Sequence, residues 1–406
     1  MRLEPHAARD GGQEAQRADL GNTGKSFVHP EQEDQAAMVR LRRWRRQRKA
    51  QQLLPGEAVA SCLRGKRDEY ENGFTGVQVV RDEHGRVHYD GLITCGSVWH
   101  CPVCAQKIAE ARAAEIRAAV LLHKTRGGCV AMMTQTFPHT IELPLSESVK
   151  RQADALAKFK QSRAYRRAME LADNKGSIRA LEVTFGVNGW HPHTHTLFFA
   201  MCASRELVRL LEQLLDSWAS AVRRAGLGEI NDHGFKIDED VEAAYLAKWG
   251  KERTTDRRWT EGDELAKAHL KTGKGKGGKS PFELLDAALA GDEKSADLFR
   301  EYAKHFKGKR QLYWSPGLRE WLAVEEVTDE EIAQAKPEKI EVVARLREDD
   351  WSLVLSWNAR GEVLEIAKRH GGVGVEYFLD KLRSRGCGKD DPFYEIGTVW
   401  WRKCGL

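Results

Sequence analysis

Long apolar segments are missing from this sequence of 406 residues. No stretch approaches the roughly 18 to 20 consecutive apolar residues that a membrane-spanning helix needs, and residues 1–33 lack the apolar centre of a signal peptide. An excess of one charge is missing too, because 65 Lys and Arg residues stand against 60 Asp and Glu residues, for a net charge of +5. We therefore expect a protein of the cytoplasm with no membrane partner, whose overall charge does not by itself indicate a nucleic-acid ligand.

Positive charge is nevertheless concentrated in two segments. One runs from Arg40 to Lys49, and the other is the Lys/Gly-rich stretch from Lys267 to Lys279. Such segments can contact nucleic-acid phosphates, because each contact releases condensed counterions. The alternative is a solvated or disordered segment. The residues that we expect to contact phosphates are Arg40, Arg42, Arg43, Arg45, Arg46, Lys271, Lys274 and Lys276.

Four of the eight cysteines have the spacing of metal ligands. Cys101 and Cys104 make a Cys-x-x-Cys pair, Cys95 lies just before it, and Cys62 lies upstream. In a reducing compartment such thiols indicate metal binding rather than disulfides. We predict a structural four-thiolate Zn²⁺ site, in which His100 could replace one cysteine, and a redox Cys-x-x-Cys pair is the alternative. The scattered cysteines are expected to be packing residues: Cys129, Cys202, Cys387 and Cys404.

Composition and pattern divide the chain into four segments. Residues 1–55 are polar and then basic, with disorder predicted to about residue 37 and a helix favoured for the basic run. Residues 56–125 form the cysteine-bearing module and end in a helix that begins near Ala105. Residues 126–320 hold the most regular elements, followed by a basic extension. Residues 321–406 form a small α/β tail whose role the sequence does not declare.

The third segment predicts an α+β fold. Strands are expected at 130–136, 178–187, 190–200 and 235–237, with helices after the first and the third strand and a last helix at 239–249. Asn188-Gly189 is the strongest two-residue hairpin signal, Ser204 is expected to cap the second helix, and Gly226 to end it. The order β-α-β-β-α-β is that of a ferredoxin-like split βαβ unit with an antiparallel central sheet, here with one helix appended. Because this fold hosts many functions, the function has to come from its residues.

Three histidines alternate along the strand at 190–200. Side chains of a strand point to opposite faces with period two, so His191, His193 and His195 should share one face. Neutral imidazoles spaced in this way can hold one divalent metal. The alternative is a set of buried histidines without a ligand role.

A third ligand is expected from the preceding strand. With Asn188-Gly189 as the turn, Thr184 lies opposite His193 and Glu182 opposite His195. Glu182 then shares the histidine face, where a carboxylate between apolar neighbours is unfavourable unless it is paired or ligates something. An arginine partner is the alternative, and His191 competes for the third position. Mixed histidine and carboxylate ligation suits Mg²⁺ or Mn²⁺.

The helix at 239–249 places Tyr245, Lys248 and Trp249 within one turn. A tyrosine has a pKa of about 10 and is a poor nucleophile at neutral pH. It becomes useful when a metal polarises a phosphate and a nearby cation stabilises the developing charge, a role for which Lys248 is placed. The alternative is a tyrosine that only packs in a core.

Three ordered motifs resemble those of the plasmid rolling-circle replication initiator (Rep) proteins of the HUH endonuclease superfamily. Met133-Thr-Gln-Thr136 resembles their first motif, Trp190-His-Pro-His-Thr-His-Thr-Leu197 their metal motif, and Tyr245-Leu-Ala-Lys248 their tyrosine motif. The segments 95–104, 280–285 and 308–315 are also similar to members of this family. The likeness covers roughly residues 60–320.

The resemblance implies an HUH catalytic domain at 126–320 beside the zinc-binding module at 56–125. It implies that His193 and His195 bind the metal, and that Tyr245 nicks single-stranded DNA at a plasmid origin to give a 5′-phosphotyrosine. The partners it implies are single-stranded and duplex origin DNA, a host helicase and DNA polymerase, and a second copy of the chain as a homodimer.

The tyrosine motif departs from several relatives, which carry a second catalytic group where this chain has Trp249. Only Tyr245 is then a nucleophile, unless the register is that of the Glu-x-x-x-Tyr members, in which Trp249 would occupy the nucleophile position and the site would be inactive. Rival interpretations are a transposase or relaxase with the same chemistry, a non-catalytic zinc-containing DNA-binding regulator, and a metal phosphodiesterase that uses water.

Overall fold

The computed structural model describes residues 30–66, 73–239 and 278–384. Its strands are β1 (Val77–Asp82), β2 (Val87–Asp90), β3 (Cys129–Gln135), β4 (Asn174–Gly186), β5 (Gly189–Ala200), β6 (Phe235–Glu239), β7 (Leu312–Trp314) and β8 (Ile340–Leu346). Its helices are α1 (Pro30–Leu53), α2 (Pro102–Thr125), α3 (Leu145–Gln161), α4 (Arg163–Leu171), α5 (Ser204–Glu212), α6 (Leu215–Arg224), α7 (Pro281–Leu289), α8 (Glu293–Phe306), α9 (Leu318–Leu322), α10 (Asp329–Gln334), α11 (Glu348–Ser356) and α12 (Arg360–Ser384). None of the helices in these ranges combines the length and the apolar character needed to cross a membrane.

A five-stranded sheet lies at the centre, with the strand order β6-β3-β5-β4-β7. All of its neighbouring strands run antiparallel. Met133 and Phe198 point to one face and pack with residues of α3 to α6, whereas Met132 and Leu197 point to the other face and pack with residues of α2 and α9. This alternation buries both faces of the sheet. The predicted α+β class with antiparallel sheets is confirmed.

The hairpin between β4 and β5 has a different register from the predicted one. Gly186 pairs with Gly189, so that Val187 and Asn188 form the turn, and Glu182 lies opposite His193 rather than His195. The predicted turn needs a positive φ at Asn188, but the positive φ, +85°, is at Gly189, directly after the turn. The register prediction was therefore wrong by two residues, and because two is even, Glu182 keeps the predicted face.

The helices of the central domain are more broken than predicted. The helix after β3 ends at Gln161, and α4 follows with Ser162 as its cap, whose hydroxyl accepts a hydrogen bond from the Tyr165 amide. The predicted helix at 204–226 is divided into α5 and α6, and Ser204 is its first residue rather than its cap. Gly226 follows α6 with a φ of +71°, as expected of a helix end.

The two ends of the described chain pack together around the cysteine-bearing segment. Strand β8 pairs with β1 and completes a second sheet in the order β2-β1-β8. Its core includes Val79 from β1, Leu346 from β8 and Phe378 from α12. Helix α1 carries the basic run, as favoured, but begins at Pro30, inside the stretch predicted to be disordered. Residues 340–384 thus share one hydrophobic core with residues 77–92.

This shared core predicts a large effect of Phe378→Ala. Phe378 is 2% exposed, and removing such a ring lowers the free energy of unfolding by about 3 to 5 kcal/mol. The neighbouring Tyr377 is 40% exposed, so Tyr377→Ala is a matched control with an expected loss of about 0.5 kcal/mol or less. Denaturant unfolding measures both, and equal losses would contradict a shared core.

Candidate metal centres

One buried carboxylate lies between two imidazoles at the junction of β4 and β5. Glu182 is 4% exposed, and its Oε2 lies 3.0 Å from His193 Nε2 while its Oε1 lies 3.2 Å from His195 Nε2. One ligand atom from each residue lies within 4.8 Å of the others. The predicted face of the hairpin thus brings Glu182, His193 and His195 together in a group that could hold a metal ion.

The other nitrogen of each ring has a partner that fixes the ring orientation. His193 Nδ1 donates to the backbone carbonyl of His191 at 3.2 Å, and His195 Nδ1 lies 2.9 Å from the Thr134 hydroxyl of β3. A carbonyl only accepts, so His193 Nε2 carries a lone pair in the neutral ring. Both Nε2 atoms therefore face the carboxylate, as expected of ligands oriented by outer partners.

A cation fits this arrangement. His193 Nε2 lies 3.0 Å from Glu182 Oε2. If both atoms carry lone pairs, this contact is unfavourable unless a proton or a metal ion lies between them. His195 Nε2 is buried and makes no hydrogen bond to any of the described residues. Buried polar atoms without partners are rare in proteins and point to an ion or a water at the site.

His191 lies beside this group but not in it. Its ring stacks on His139, with centroids 4.3 Å apart and planes 10° apart, and lies 5.1 Å from the His193 ring. Burial, together with the neighbouring His193 and His139, lowers the pKa of His191 to about 3, so that the ring is neutral at physiological pH. The geometry favours Glu182 over His191 as the third ligand. His139 was not singled out from the sequence, because the stack depends on a loop contact.

The four predicted cysteines converge between α1, the loop after β2 and the start of α2. Cys62 Sγ lies 3.7 Å from Cys101 Sγ and 3.5 Å from Cys104 Sγ, and Cys95 Sγ lies 3.8 Å from Cys104 Sγ. Hydrogen bonding to Cys101 raises the pKa of Cys62 and of Cys95. The pKa of Cys101 itself is well below its usual value, because hydrogen bonds from the other thiols outweigh the effect of burial, which alone would raise it. Four thiols this close fit a soft cation, which thiolates bind.

Side chains of α1 and α12 surround the cysteine set. Gln47 Nε2 donates to Cys101 Sγ at 3.2 Å, and Gln51 Nε2 donates to the Cys62 carbonyl at 2.9 Å. Arg360 is 1% exposed and donates to the Leu63 carbonyl at 2.9 Å and to Gln51 Oε1 at 3.2 Å. Burial lowers its pKa to about 10, which leaves it positively charged. Four thiolates around a dication keep two negative charges, so a buried guanidinium beside them is favourable.

Three of the five predicted phosphate-binding residues of α1 form ion pairs inside the protein. Arg40 pairs with Glu33 and Glu365, while Arg42 and Arg46 both pair with Asp286. Burial lowers the pKa of Arg43 to about 10, and Arg45 is half-buried. Their contacts with DNA stay predictions. The other expected site residues lie outside the described residues: Tyr245, Lys248, Lys271, Lys274 and Lys276.

Thr134→Val should weaken metal binding at Glu182, His193 and His195. The substitution keeps the side-chain volume but removes the hydroxyl at His195 Nδ1, and losing such a partner lowers metal affinity about 10- to 100-fold. Calorimetric titration with Mn²⁺ measures the change. Thr136→Val is the matched control, because the Thr136 hydroxyl bonds to the His233 carbonyl instead. Equal affinities of both variants would show that Thr134 does not orient a metal ligand.

Arg360→Met should speed metal loss from the cysteine set. The buried charge and its hydrogen bonds disappear, and outer partners of this kind change affinity about 10- to 100-fold. Zinc release to a coloured chelator, followed by absorbance, measures the rate, and thermal unfolding of the loaded protein checks the fold. Lys368→Met, on the same helix but paired with Glu33, should release zinc at the unsubstituted rate. If Arg360→Met also released zinc at that rate, Arg360 would not contribute to metal retention by the cysteine set.

The sequence of this chain is similar to two known proteins from Streptomyces. No protein-family model and no solved structure matches the chain. It is 29% identical to "Protein rep" of Streptomyces lividans over 354 residues, which cover 69% of this chain and 76% of that protein. It is 30% identical to a "Neomycin resistance protein" of Streptomyces cyanogenus over 147 residues, which cover 30% of this chain and 34% of that protein. The resemblance to Rep proteins that the motifs indicate is thus confirmed, and the similarity to a Rep protein covers more than two thirds of this chain.

Proposed function

We propose that this protein starts rolling-circle replication of a plasmid by nicking one DNA strand at the origin with Tyr245. The observation that carries the proposal is the buried carboxylate of Glu182 between His193 Nε2 and His195 Nε2. The similarity to a Rep protein of Streptomyces lividans also supports a role in plasmid replication. A plasmid initiator binds single-stranded and duplex origin DNA and leaves a free 3′-hydroxyl that the host polymerase extends. It acts in the cytoplasm together with a host helicase.

The sheet that carries the site supports an HUH domain of ferredoxin-like topology. Its first four strands occur in the order β-α-α-β-β-α-α-β, and in space they lie in the order β6-β3-β5-β4. This is the strand order of a split βαβ unit, with β7 added at the edge of β4. The histidines lie on β5, a central strand, which holds their backbone rigidly and so fixes the positions of the ligand nitrogens.

In the proposed reaction the residues of the chain act on one phosphodiester. Glu182, His193 and His195 would hold Mg²⁺ or Mn²⁺, which supplies Lewis-acid polarisation of the scissile phosphate. The phenol of Tyr245 loses its proton, a bond forms between its oxygen and the phosphorus, and the bond from phosphorus to the 3′ oxygen breaks. That oxygen takes up a proton, and Lys248 stabilises the charge on the phosphate. The phosphotyrosine keeps the phosphodiester energy, so the reverse reaction joins strands without ATP.

We also propose that the cysteine set holds Zn²⁺ in a structural role. All four positions of a tetrahedral ion would be filled by Cys62, Cys95, Cys101 and Cys104, which leaves no position for a catalytic water. The cysteine set packs against α1 and, through Arg360, against α12. Zinc there would stabilise the contact between the termini of the described chain and the segment that precedes the catalytic domain.

The decisive test is covalent capture of labelled DNA. We expect the full chain with Mn²⁺ to become linked to the 5′ end of the downstream fragment of a single-stranded origin oligonucleotide, seen on a denaturing gel. Tyr245→Phe should abolish the adduct, because it removes the attacking oxygen, and Glu182→Gln should abolish it together with Mn²⁺ binding. Tyr377→Phe, which alters an exposed tyrosine of α12, is the matched control and should keep the adduct.

Other outcomes select the rival functions. Nicking that persists in Tyr245→Phe would indicate a phosphodiesterase that uses water. Tight duplex binding with no adduct under any metal would indicate a regulator, and would leave Trp249 as the reason for inactivity. Strand transfer without plasmid maintenance would indicate a transposase or relaxase.

A further inference from the structure

Two basic side chains on the sheet face opposite the metal group have no acidic partner among the residues that the structure describes. Lys160 lies in the last turn of α3, and Arg179 lies on β4 three residues before Glu182. Both are half-buried, and neither forms an ion pair with any residue of the described ranges. Their neighbours differ, because Lys158 pairs with Asp154 and Lys175 pairs with Asp173. Within the described ranges, therefore, these two half-buried cations differ from the ion-paired lysines close to them in sequence.

Two tyrosines line the same cluster. Tyr313 of β7 is the register partner of Arg179, and its ring centre lies 5.3 Å from the Arg179 guanidinium and 6.0 Å from Lys160 Nζ. Tyr165 of α4 packs against Phe159 and Phe198, with ring centres 5.0 and 6.4 Å away. Burial raises the pKa of Tyr165 to about 12, and the nearby Arg179 opposes part of that rise. The cluster thus combines a planar guanidinium, an ammonium and two phenols, and contains no carboxylate among the described residues.

Such a cluster is unfavourable in the protein without a ligand. Burial, together with the nearby Arg179, lowers the pKa of Lys160 to about 8, and burial also lowers the pKa of Arg179. Two like charges in a partly dehydrated place repel each other, and the Tyr313 ring offsets only part of this. A negatively charged ligand would remove the repulsion. Arginine binds phosphate through two parallel hydrogen bonds, and lysine binds it as a point charge.

We propose that Lys160, Arg179, Tyr165 and Tyr313 bind a phosphate of a DNA segment other than the strand at the metal group. The opposite faces follow from strand alternation, because Arg179 and Glu182 are an odd number of residues apart on β4. One segment of DNA cannot lie on both faces at this place, so the phosphate belongs to a second segment, which we assign to the duplex beside the nick. The proposal rests on the proposed function, since it takes the ligand to be DNA.

The first test uses the salt dependence of duplex binding. Fluorescence anisotropy of a labelled duplex oligonucleotide gives the affinity of the full chain at several salt concentrations. Lys160→Met and Arg179→Met should each weaken binding and make the plot of log affinity against log salt shallower by about one unit, since one phosphate contact is lost. Lys158→Met, an ion-paired lysine on the same helix, is the matched control and should leave the slope unchanged. Unchanged slopes for Lys160→Met and Arg179→Met would overturn the proposal.

A second measurement separates ligand loss from folding damage. The thermal midpoint of Lys160→Met without DNA should equal or exceed that of the unsubstituted chain, because the substitution removes an unpaired half-buried charge. Lys160→Met should also still form the Tyr245 adduct on a short single-stranded oligonucleotide. A lowered midpoint together with lost duplex binding would make the cluster a packing element and overturn the proposal. If neither the unsubstituted protein nor any variant formed the adduct, while Lys160→Met and Arg179→Met still changed the salt slope, only the proposed nicking would be contradicted.

A third measurement separates DNA phosphate from free phosphate. Inorganic phosphate, added at constant ionic strength, should compete only weakly with the duplex and should raise the thermal midpoint of the unsubstituted chain more than that of Lys160→Met. Strong stabilisation by phosphate with no effect of Lys160→Met on duplex binding would assign the cluster to a small phosphorylated molecule, and would overturn its assignment to DNA.

Discussion

The buried carboxylate of Glu182 is the constraint on which the central domain depends. At 4% exposure it has no access to bulk water, and both of its oxygens face imidazole nitrogens. An isolated charge in such a place would be strongly destabilising, which favours a positive charge beside the carboxylate. The neighbouring strands hold the two imidazole rings in their orientation around the carboxylate. Strand β3 provides Thr134 to one ring, and the backbone of β5 itself orients the other.

The face of this site could be predicted from the sequence, but its register could not. Strand alternation alone places His193, His195 and Glu182 on one side, and any even shift between the two strands preserves that result. The shift itself depends on which residue takes the positive φ at the turn. Asn188 and Gly189 both suit that conformation in the sequence, and only Gly189 adopts it in the structure. An added Cβ at Gly189 would lie 2.9 Å from Ile141 Cα, so the position is also set by a loop distant in sequence.

The cysteine set shows the same division between local and distant information. Spacing was enough to predict which four thiols meet, because three of them lie within ten residues and the fourth has the right chemistry. The surroundings of the cysteine set could not be predicted. Arg360 Nη1 lies 3.4 Å from the Cys62 carbonyl, although the two residues are 298 positions apart in sequence. For the same reason residues 340–384 had no predicted role. Their pairing with β1 and their contact with the cysteine segment are both long-range events that no periodicity encodes.

Charge runs are ambiguous in sequence because their partners are distant. The densest basic run of the chain, in α1, contains guanidiniums that the fold neutralises with Glu33, Asp286 and Glu365. An ion-paired guanidinium has to give up its carboxylate before it can bind a phosphate, which reduces the gain from that contact. Lys160 and Arg179 form no ion pair in the described ranges, and both lie outside the two basic segments from which phosphate contacts were predicted. In a chain with a net charge of only +5, the density of Lys and Arg along the sequence therefore does not show which cations the fold leaves without a carboxylate partner.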